Sequence, residues 1–309
     1  MEEQYLLEII FLGTGASVPT KDRSLQSIVV RRGSEILMFD CGEGTQRQMF
    51  AARLGLNRRM KIFVSHMHGD HVFGIPGLIQ SMSLLGRTEK LRIFGPEGIR
   101  DFIESINRTV PYNLAFELDV TEIEDGLVTS EQEYEILSAW GKHVIPCLSY
   151  ALAEKPRPGK FNVRIAKRLG VPEGSLWKKL QMGKSITING RTVSPKRIVG
   201  HSRRGAKIVY AVDTRPCRSI EKLARGADLL VAESTFDDSK KDKASEYGHS
   251  TASETARLAR RAKVRKLALT HLSAAYKDPN VLLRQAKRIF QPTILARDLQ
   301  RLEVEPSKK

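Results

Sequence analysis

The chain has 309 residues, enough to bury a large hydrophobic core in one domain or two smaller ones. Lys and Arg number 51 against 35 Asp and Glu, a formal net charge of +16. Such an excess is typical of proteins that bind polyanions, most commonly nucleic acid. The N-terminus is acidic and no run of about 20 apolar residues exists, so we expect a cytoplasmic protein without a membrane partner. Three cysteines without CxxC spacing exclude a disulfide framework and a thiolate metal site.

Apolar runs alternate with helical patterns along the chain, which predicts a layered α/β fold. Strands are predicted at residues 5–12, 27–32, 36–40, 62–65, 91–94, 116–123, 133–140, 207–212, 228–232 and 266–270. Helices are predicted at a segment that ends near residue 54 and at residues 72–85, 100–107, 251–262 and 281–290.

The motif His66-Met67-His68-Gly69-Asp70-His71 places four metal-capable side chains in six residues, directly after a predicted strand. The i, i+2 spacing sends His66 and His68 to the same side, where both can bind one cation. Gly69 allows a sharp turn, so Asp70 and His71 can face a second cation nearby.

Three further candidate ligands, His143, Asp213 and His271, each follow the end of a predicted strand. Loops after strands are where polar ligands converge in layered α/β folds, which indicates one shared site. A lone histidine is more often exposed or hydrogen-bonded in a core, but three of the seven histidines lie within six residues. We therefore predict two zinc ions per subunit, roughly 3.5 to 4 Å apart. The first would be bound by His66, His68 and His143 and the second by Asp70, His71 and His271, with Asp213 bridging them.

This ligand pattern resembles that of the metallo-β-lactamase superfamily, and several further stretches resemble its tRNase Z family. The segment 19–24 (PTKDRS) is similar to the family loop Pro-x-Lys-x-Arg-Asn, with Ser24 in place of Asn. The segment 232–236 (AESTF) is similar to His-Glu-Ala-Thr and keeps its glutamate as Glu233. The segment 248–251 (GHST) is similar to the His-Ser-Thr loop. The resemblance implies an α/β fold of the αβ/βα four-layer sandwich type, formed by a single domain over residues 1–309 with a protruding basic arm.

The resemblance also implies a function: a zinc-dependent endoribonuclease that removes the 3′ trailer from precursor tRNA. Cleavage after the discriminator nucleotide leaves a 3′-hydroxyl on the tRNA and a 5′-phosphate on the trailer. His249 would be the catalytic acid, oriented by Glu233, and Asp70 would be both a ligand and a proton acceptor. Lys21 and Arg23 would contact the RNA 3′ end at the mouth of the site. The family works as a homodimer in which the arm of one subunit presents RNA to the other.

The segment 151–185 is punctuated by Pro and Gly and carries nine Lys or Arg against two Glu, which predicts a protruding insertion. Its cations can bind several phosphates without reading base identity. The resemblance identifies this insertion with the tRNA-binding arm, or exosite, of the family. Its predicted substrate-binding residues are Lys155, Arg157, Lys160, Lys178, Lys179 and Lys184.

Two alternatives share parts of this pattern. A hydrolase of a small phosphodiester or thioester would need the metal ligands but not the basic arm. A non-catalytic RNA-binding protein would keep the arm and lose ligands. An organic cofactor is not expected, because the glycine pair Gly13 and Gly15 lacks the third glycine of a dinucleotide fingerprint and the Gly-Lys-Ser/Thr of a Walker motif.

Overall fold

The computed structural model describes residues 7–110 and 113–306, so Tyr5 and Leu6 of the first predicted strand lie outside the described residues. The chain divides into two compact units. Unit 1 contains Met1–Ala153 and Ala206–Lys309, and unit 2 contains Glu154–Gly205. Within the described residues, every helix is too short or too polar to span a bilayer.

The first half of unit 1 contains β1 (Leu7–Gly13), β2 (Gly15–Ala16), β3 (Ser27–Arg32), β4 (Glu35–Phe39), α1 (Thr45–Ala51), β5 (Met60–Phe63), α2 (Gly69–Val72), α3 (Gly74–Leu84), β6 (Leu91–Gly95), α4 (Ile99–Thr109), β7 (Leu118–Glu122), β8 (Gly126–Ser130), β9 (Tyr134–Trp140) and β10 (Leu148–Glu154). Unit 2 contains α5 (Val163–Arg168), α6 (Ser175–Gln181), β11 (Ile186–Ile188) and β12 (Arg191–Val193). The second half of unit 1 contains β13 (Lys207–Ala211), α7 (Arg218–Ala224), β14 (Leu229–Glu233), α8 (Lys241–Glu246), α9 (Ala252–Arg261), β15 (Leu267–Thr270), β16 (Leu272–Ser273), α10 (Asn280–Lys287), β17 (Thr293–Leu295) and β18 (Arg301–Val304).

Two seven-stranded sheets form the body of unit 1. Their strand orders are β18-β1-β3-β4-β5-β6-β7 and β17-β15-β14-β13-β10-β9-β8. Each sheet contains a parallel set, β4 to β7 in the first and β13, β14, β15 and β17 in the second. The inner strands β14 (LLVAE) and β15 (LALT) are largely apolar and buried throughout, as is usual for parallel strands whose two faces are both covered.

Three hydrophobic clusters separate the layers of unit 1. One lies between the two sheets and includes Phe39, Phe63, Tyr150 and Tyr210, whose rings lie 5.3 to 6.0 Å apart. The second lies between the first sheet and helices α1, α3 and α4. The third lies between the second sheet and helices α7, α9 and α10. The order helix, sheet, sheet, helix confirms the predicted αβ/βα fold class.

Unit 2 has a small hydrophobic core of its own. Ala166, Val171 and Leu180 from its helical part pack with Ile186 and Val193 of its hairpin. The rings of Phe161 and Trp177 lie 5.1 Å apart at the edge of this cluster. Unit 2 is therefore a folded unit rather than an extended loop. It begins three residues after the predicted start of the insertion and ends twenty residues after its predicted end.

Four strands of the two large sheets, β8, β10, β17 and β18, were not predicted. Strand β10 (LSYALAE) is buried on both faces, so it lacks the alternation of polar and apolar residues that marks a half-exposed strand. It pairs with β13 in antiparallel register, with Ala153 opposite Lys207. The chain therefore leaves unit 1 for unit 2 and returns at neighbouring positions.

A buried ion pair also joins the two sheets. The ammonium of Lys61 in β5 lies 2.6 Å from Glu35 Oε1 in β4 and 2.9 Å from Glu131 Oε1. It donates a hydrogen bond of 2.7 Å to the hydroxyl of Tyr134 in β9, which belongs to the second sheet. Lys61 is only 2 % exposed, so its charge depends on these partners.

We expect Glu35→Ala to lower the free energy of unfolding by about 3 kcal/mol, because it leaves a buried ammonium with one carboxylate fewer. Glu221→Ala is the matched control, since Glu221 pairs with Arg261 at the surface, and its loss should stay below about 1 kcal/mol. Urea denaturation of both variants gives the comparison. Equal decreases in the free energy of unfolding would show that burial of the Lys61–Glu35 pair does not increase its contribution to stability.

Candidate metal centre

The candidate residues lie at the carboxyl ends of the parallel strands. Asp40 follows β4, His66 follows β5, Asp213 follows β13 and His271 follows β15. Parallel strands point their carboxyl ends to the same edge of a sheet, and ligands of open α/β sheets bind there. The two sheets thus bring residues from distant parts of the chain to one place.

Three of these residues have left-handed backbone conformations. The φ angles are 57° at Asp40, 48° at Asp213 and 53° at His271. Asp and His are among the non-glycine residues that tolerate this region, yet each such residue costs some free energy. The backbone turns sharply at each strand end, and the strain falls on residues of the candidate site.

The first donor group contains His66, His68, His143 and Asp213, whose ligand atoms all lie within 4.8 Å of one another. His66 Nε2 lies 2.9 Å from His68 Nδ1, and His143 Nε2 lies 3.5 Å from the same atom. Asp213 Oδ2 lies 3.5 Å from His66 Nε2 and 3.9 Å from His143 Nε2. These four atoms surround a space suited to one cation.

The second donor group contains Asp70, His71 and His271. Asp70 Oδ2 lies 3.4 Å from His71 Nε2 and 3.5 Å from His271 Nε2. Asp213 Oδ2 also lies 3.6 Å from His71 Nε2, so this one carboxylate contacts both groups. The structure brings together all seven predicted ligands, and the Asp213 carboxylate contacts members of both groups.

Hydrogen bonds fix the orientation of four of the five ligand imidazoles. The Nδ1 atoms of His71 and His143 donate to Asp40 Oδ2 at 2.7 Å and to the carbonyl of Gly248 at 3.1 Å. Ser65 Oγ lies 2.9 Å from His66 Nδ1, and Thr235 Oγ1 lies 3.1 Å from His271 Nδ1. Each contact leaves the Nε2 lone pair directed at the site, as in metal-binding histidines.

Unsatisfied buried atoms support a metal at this place. His71 Nε2, His271 Nε2 and Asp213 Oδ1 are buried and make no hydrogen bond in the described structure. Buried polar atoms are normally hydrogen-bonded, so such atoms in one cluster require an explanation. Imidazole nitrogens and carboxylate oxygens are typical ligands of zinc and related divalent ions. The residues present therefore fit a divalent metal.

The pKa values of His66, His143 and Asp213 suit metal ligation. Burial alone would lower the pKa of His71, but the Asp40 and Asp213 carboxylates raise it well above its usual value. Burial lowers the pKa of His66 well below its usual value and lowers that of His143 too, so both rings are neutral and able to ligate. Burial alone would raise the pKa of Asp213, but the His271 and His71 rings hold it well below its usual range. The carboxylate is therefore ionised and attracts positive charge.

Asp40 orients the ligands without belonging to either donor group. Its carboxylate accepts hydrogen bonds from the Ser65 amide at 2.6 Å, the Ser65 hydroxyl at 2.8 Å and the Tyr210 hydroxyl at 2.5 Å, besides His71. It is fully buried. Through these contacts Asp40 holds the ligand loop against the end of β4.

His249 and Glu233 lie beside these two donor groups, and His249 forms a third possible donor group with Asp213 and His271. His249 Nδ1 lies 3.2 Å from Glu233 Oε2, and the two rings of His249 and His143 have centroids 5.0 Å apart. Burial alone would lower the pKa of His249, but the Glu233 carboxylate raises it to about 9. Glu233 is itself held by the amides of Thr214 at 2.6 Å and Ser250 at 2.9 Å.

Arg215 and Glu254 form a contact that the sequence did not reveal. The Arg215 guanidinium binds both carboxylate oxygens of Glu254, at 2.6 and 2.7 Å, and donates to the carbonyl of His249 at 2.7 Å. Glu254 also caps α9 together with Thr251. The Thr-x-x-Glu capping box is visible in the sequence, but its arginine partner lies 39 residues away.

The segment 17–24 lies at the edge of the site. The Ser17 amide donates to Asp70 Oδ2 at 2.8 Å. The Arg23 guanidinium donates to Thr14 Oγ1 at 2.6 Å and to the Ala296 carbonyl at 3.0 Å, so it anchors this segment to the protein. Asp298, which the sequence did not mark, accepts a hydrogen bond of 2.6 Å from the Ser24 amide. Lys21 is exposed.

The predicted phosphate-binding residues of the insertion lie within unit 2. Lys160, Lys178, Lys179 and Lys184 are exposed. Lys155 and Arg157 are half-buried, and Arg157 Nη2 lies 2.6 Å from Glu154 Oε1. Unit 2 carries fourteen Lys or Arg against two Glu, so it holds +12 of the chain's +16. Unit 1 is close to neutral by comparison.

A cleft of about 470 Å³ opens onto the donor groups. His68, Asp70, His143 and Asp213 line it together with His249. The rest of the lining is formed by Ala16, Ser17, Val18, Val144, Thr235, Phe236, Tyr247, Ser273 and Ala274. The cleft can therefore admit a substrate that reaches both the metal ligands and the His249 imidazole.

We expect Asp40→Ala to weaken the binding of a divalent metal ion by about 10- to 100-fold, because His71 loses the acceptor that orients it. The free energy of unfolding should fall by about 3 kcal/mol, since several buried donors lose their partner. Tyr210→Phe removes one of these donors and should cost only about 1 kcal/mol. Calorimetric zinc titration and urea denaturation test both variants. Unchanged zinc affinity in Asp40→Ala would refute the orienting role.

Comparison with known proteins places the chain in a family. A family model described as Anti-Pycsar protein Apyc1 matches residues 7–125. Ribonuclease Z of Methanosarcina acetivorans is 45 % identical over 97 % of this chain and 98 % of its own length. Ribonuclease Z of Nitrosopumilus maritimus is 43 % identical over 97 % of this chain and 100 % of its own.

Solved structures agree with this assignment. The short form of human tRNase Z aligns with a TM-score of 0.72 and 27 % identity, over 96 % of this chain and 99 % of that one. A metallo-β-lactamase fold protein from Bacillus subtilis aligns with a TM-score of 0.69 at 19 % identity, over 96 % and 99 % of the two chains, and shows the shared fold. With relatives above 40 % identity over nearly its full length, the chain belongs to the ribonuclease Z family.

Proposed function

We propose that this protein is a zinc-dependent endoribonuclease that cleaves precursor tRNA on the 3′ side of the discriminator nucleotide. The observation that carries the proposal is the single cleft in which two donor groups share Asp213 and lie beside the His249–Glu233 pair. Such a site can hold a phosphodiester, activate its phosphorus and protonate its leaving group within a few ångströms.

The donor set favours two zinc ions per subunit. His66, His68 and His143 would hold the first, Asp70, His71 and His271 the second, and Asp213 would contact both. Five imidazoles against two carboxylates favour zinc over magnesium or calcium, which prefer oxygen ligands. When bound, the metal supplies Lewis-acid activation of the phosphate and of the attacking water.

The chain's own residues supply the proton transfers. Attack of water on phosphorus breaks the bond to the 3′ oxygen of the discriminator nucleotide, which needs a proton as it leaves. His249 would donate this proton, since the Glu233 carboxylate keeps its imidazole protonated at neutral pH. Asp70 would accept the proton of the attacking water in addition to its role as a ligand. The Ser17 amide holds the Asp70 carboxylate in place.

Unit 2 would supply affinity for the RNA backbone. Its charge of +12 on 52 residues can neutralise several phosphates, and the predicted residues Lys160, Lys178, Lys179 and Lys184 are among its exposed lysines. Phosphate contacts position a substrate without reading its sequence, which suits an enzyme that acts on many precursor tRNAs. Lys21 would contact the RNA close to the cleft, whereas Arg23 would hold the segment that presents it.

A homodimer completes the proposal, with unit 2 of one subunit presenting RNA to the site of the other. This part rests on the family to which the chain belongs. A precursor-tRNA substrate also agrees with the cytoplasmic location expected from the sequence.

The test is cleavage of a 3′-extended precursor tRNA by the zinc-loaded protein, with both product ends mapped. We expect cleavage next to the discriminator nucleotide, blocked by a chelator and reduced at least about 100-fold in His68→Ala and His249→Ala. Glu221→Ala is the control, because Glu221 belongs to unit 1, pairs with Arg261 at the surface and lies outside the donor groups. Zinc content should fall in His68→Ala only.

A second variant tests unit 2. Replacing Glu154–Gly205 by a short Gly-containing turn is compatible with the fold, because Ala153 and Lys207 are paired in neighbouring strands. We expect weaker tRNA binding and a shallower dependence of binding on salt concentration, with the cleavage position unchanged. A zinc-loaded protein that hydrolyses a small phosphodiester but leaves the precursor intact would contradict the tRNA assignment and favour a small-molecule hydrolase.

A further inference from the structure

Exposed apolar side chains surround the mouth of the cleft, and none of them has a role in the proposed reaction. Three large side chains that line the cleft are strongly exposed: Val18 at 59 %, Val144 at 59 % and Tyr247 at 51 %. Exposed apolar groups scattered singly need no explanation, but a group of them around a functional cleft marks a binding surface. A ligand of this cleft must therefore have a polar part that reaches the candidate metal ligands and an apolar part that contacts the exposed side chains around them.

The mouth of the cleft is held by the same contacts that hold the site. Val144 follows the candidate ligand His143, whose Nδ1 donates to the carbonyl of Gly248, the residue after Tyr247. Gly248 has a φ of 71°, and a Cβ there would lie 2.9 Å from His143 Nδ1, so this position requires glycine. The backbone beside Tyr247 is thus fixed against the metal centre. The Tyr247 ring is therefore exposed from an anchored position.

The direction of the reaction decides which nucleotide lies beside Tyr247. Cleavage breaks the bond between phosphorus and the 3′ oxygen of the retained nucleotide, and His249 must reach that oxygen. The nucleoside that carries this oxygen therefore lies on the His249 side of the cleft. Tyr247 is two residues before His249 and lines the same cleft.

We propose that the Tyr247 ring is a stacking platform for the base of the nucleotide whose 3′ oxygen leaves, that is, the last nucleotide retained on the tRNA. This inference rests on the proposed function. An aromatic ring stacks on any of the four bases, because every base has a π face. The subsite would hold the retained end in line with His249 while accepting precursors with different discriminator bases.

The experiment is a double-mutant cycle between the protein and the RNA. Wild type and Tyr247→Ala are each assayed on a precursor tRNA with the normal retained nucleotide and on one in which that nucleotide is abasic. On the normal precursor we expect kcat/KM to fall about 10-fold in Tyr247→Ala. On the abasic precursor the two proteins should differ by less than about 2-fold, because the base that stacks is absent.

Three controls separate stacking from other effects. Tyr247→Phe should restore most of the loss, since it keeps the ring. Leu127→Ala removes a side chain that is 61 % exposed and lies outside the cleft, and should match wild type. An abasic site in the first trailer nucleotide should leave the effect of Tyr247→Ala at about 10-fold.

Equal losses for Tyr247→Ala on the normal and abasic precursors would overturn the proposal, as would the absence of any loss on the normal one. A shift of the coupling to the trailer nucleotide would also overturn it, since the ring would then lie on the other side of the scissile bond. Cleavage of the normal precursor by wild type establishes the proposed function independently of these outcomes.

Discussion

The buried carboxylate of Asp40 joins the two sheets at the place where the candidate ligands meet. It follows β4 of the first sheet, accepts a hydrogen bond from Tyr210 in β13 of the second, and binds Ser65 and His71 in the ligand loop. A charge in a core is tolerated only when donors surround it. The same contacts that satisfy Asp40 therefore fix the spacing between the sheets and the direction of the His71 ring.

The site combines strained backbone with dense hydrogen bonding. Asp213 and His271 adopt left-handed conformations at strand ends, and Glu233 is held by two amides close to Asp213. Strain at such positions persists only where the surrounding structure determines it, and here two packed sheets do so. The positive charge is concentrated away from these residues in the sequence. Most of the net positive charge belongs to unit 2, whereas the donor groups belong to unit 1. Under the proposed function, substrate attraction and chemistry would be supplied by different parts of the chain.

Much of the fold and site could be predicted, because strand-end ligands leave a local signal. His66 to His71 form a compact motif, and Asp213 and His271 follow uninterrupted apolar runs. Contacts between distant residues leave no such signal: neither the Arg215–Glu254 pair nor the anchoring of Ser24 by Asp298 could be derived. Strand β10 was missed because LSYALAE neither alternates with a period of two nor forms a continuous apolar run, since Ser149 and Glu154 are buried within it. The extent of unit 2 was underestimated because its hairpin joins the unit through packing of Ile186 and Val193 against Ala166, Val171 and Leu180, and such contacts leave no local signal.

The central claim is that Asp213 links two metal ions held by the two donor groups. Anomalous diffraction at the zinc edge from crystals of the zinc-loaded protein tests it most directly. The account predicts two peaks, one among His66, His68 and His143 and the other among Asp70, His71 and His271, with an Asp213 carboxylate oxygen contacting both ions. A single peak, or two peaks with Asp213 bound to neither ion, would contradict it.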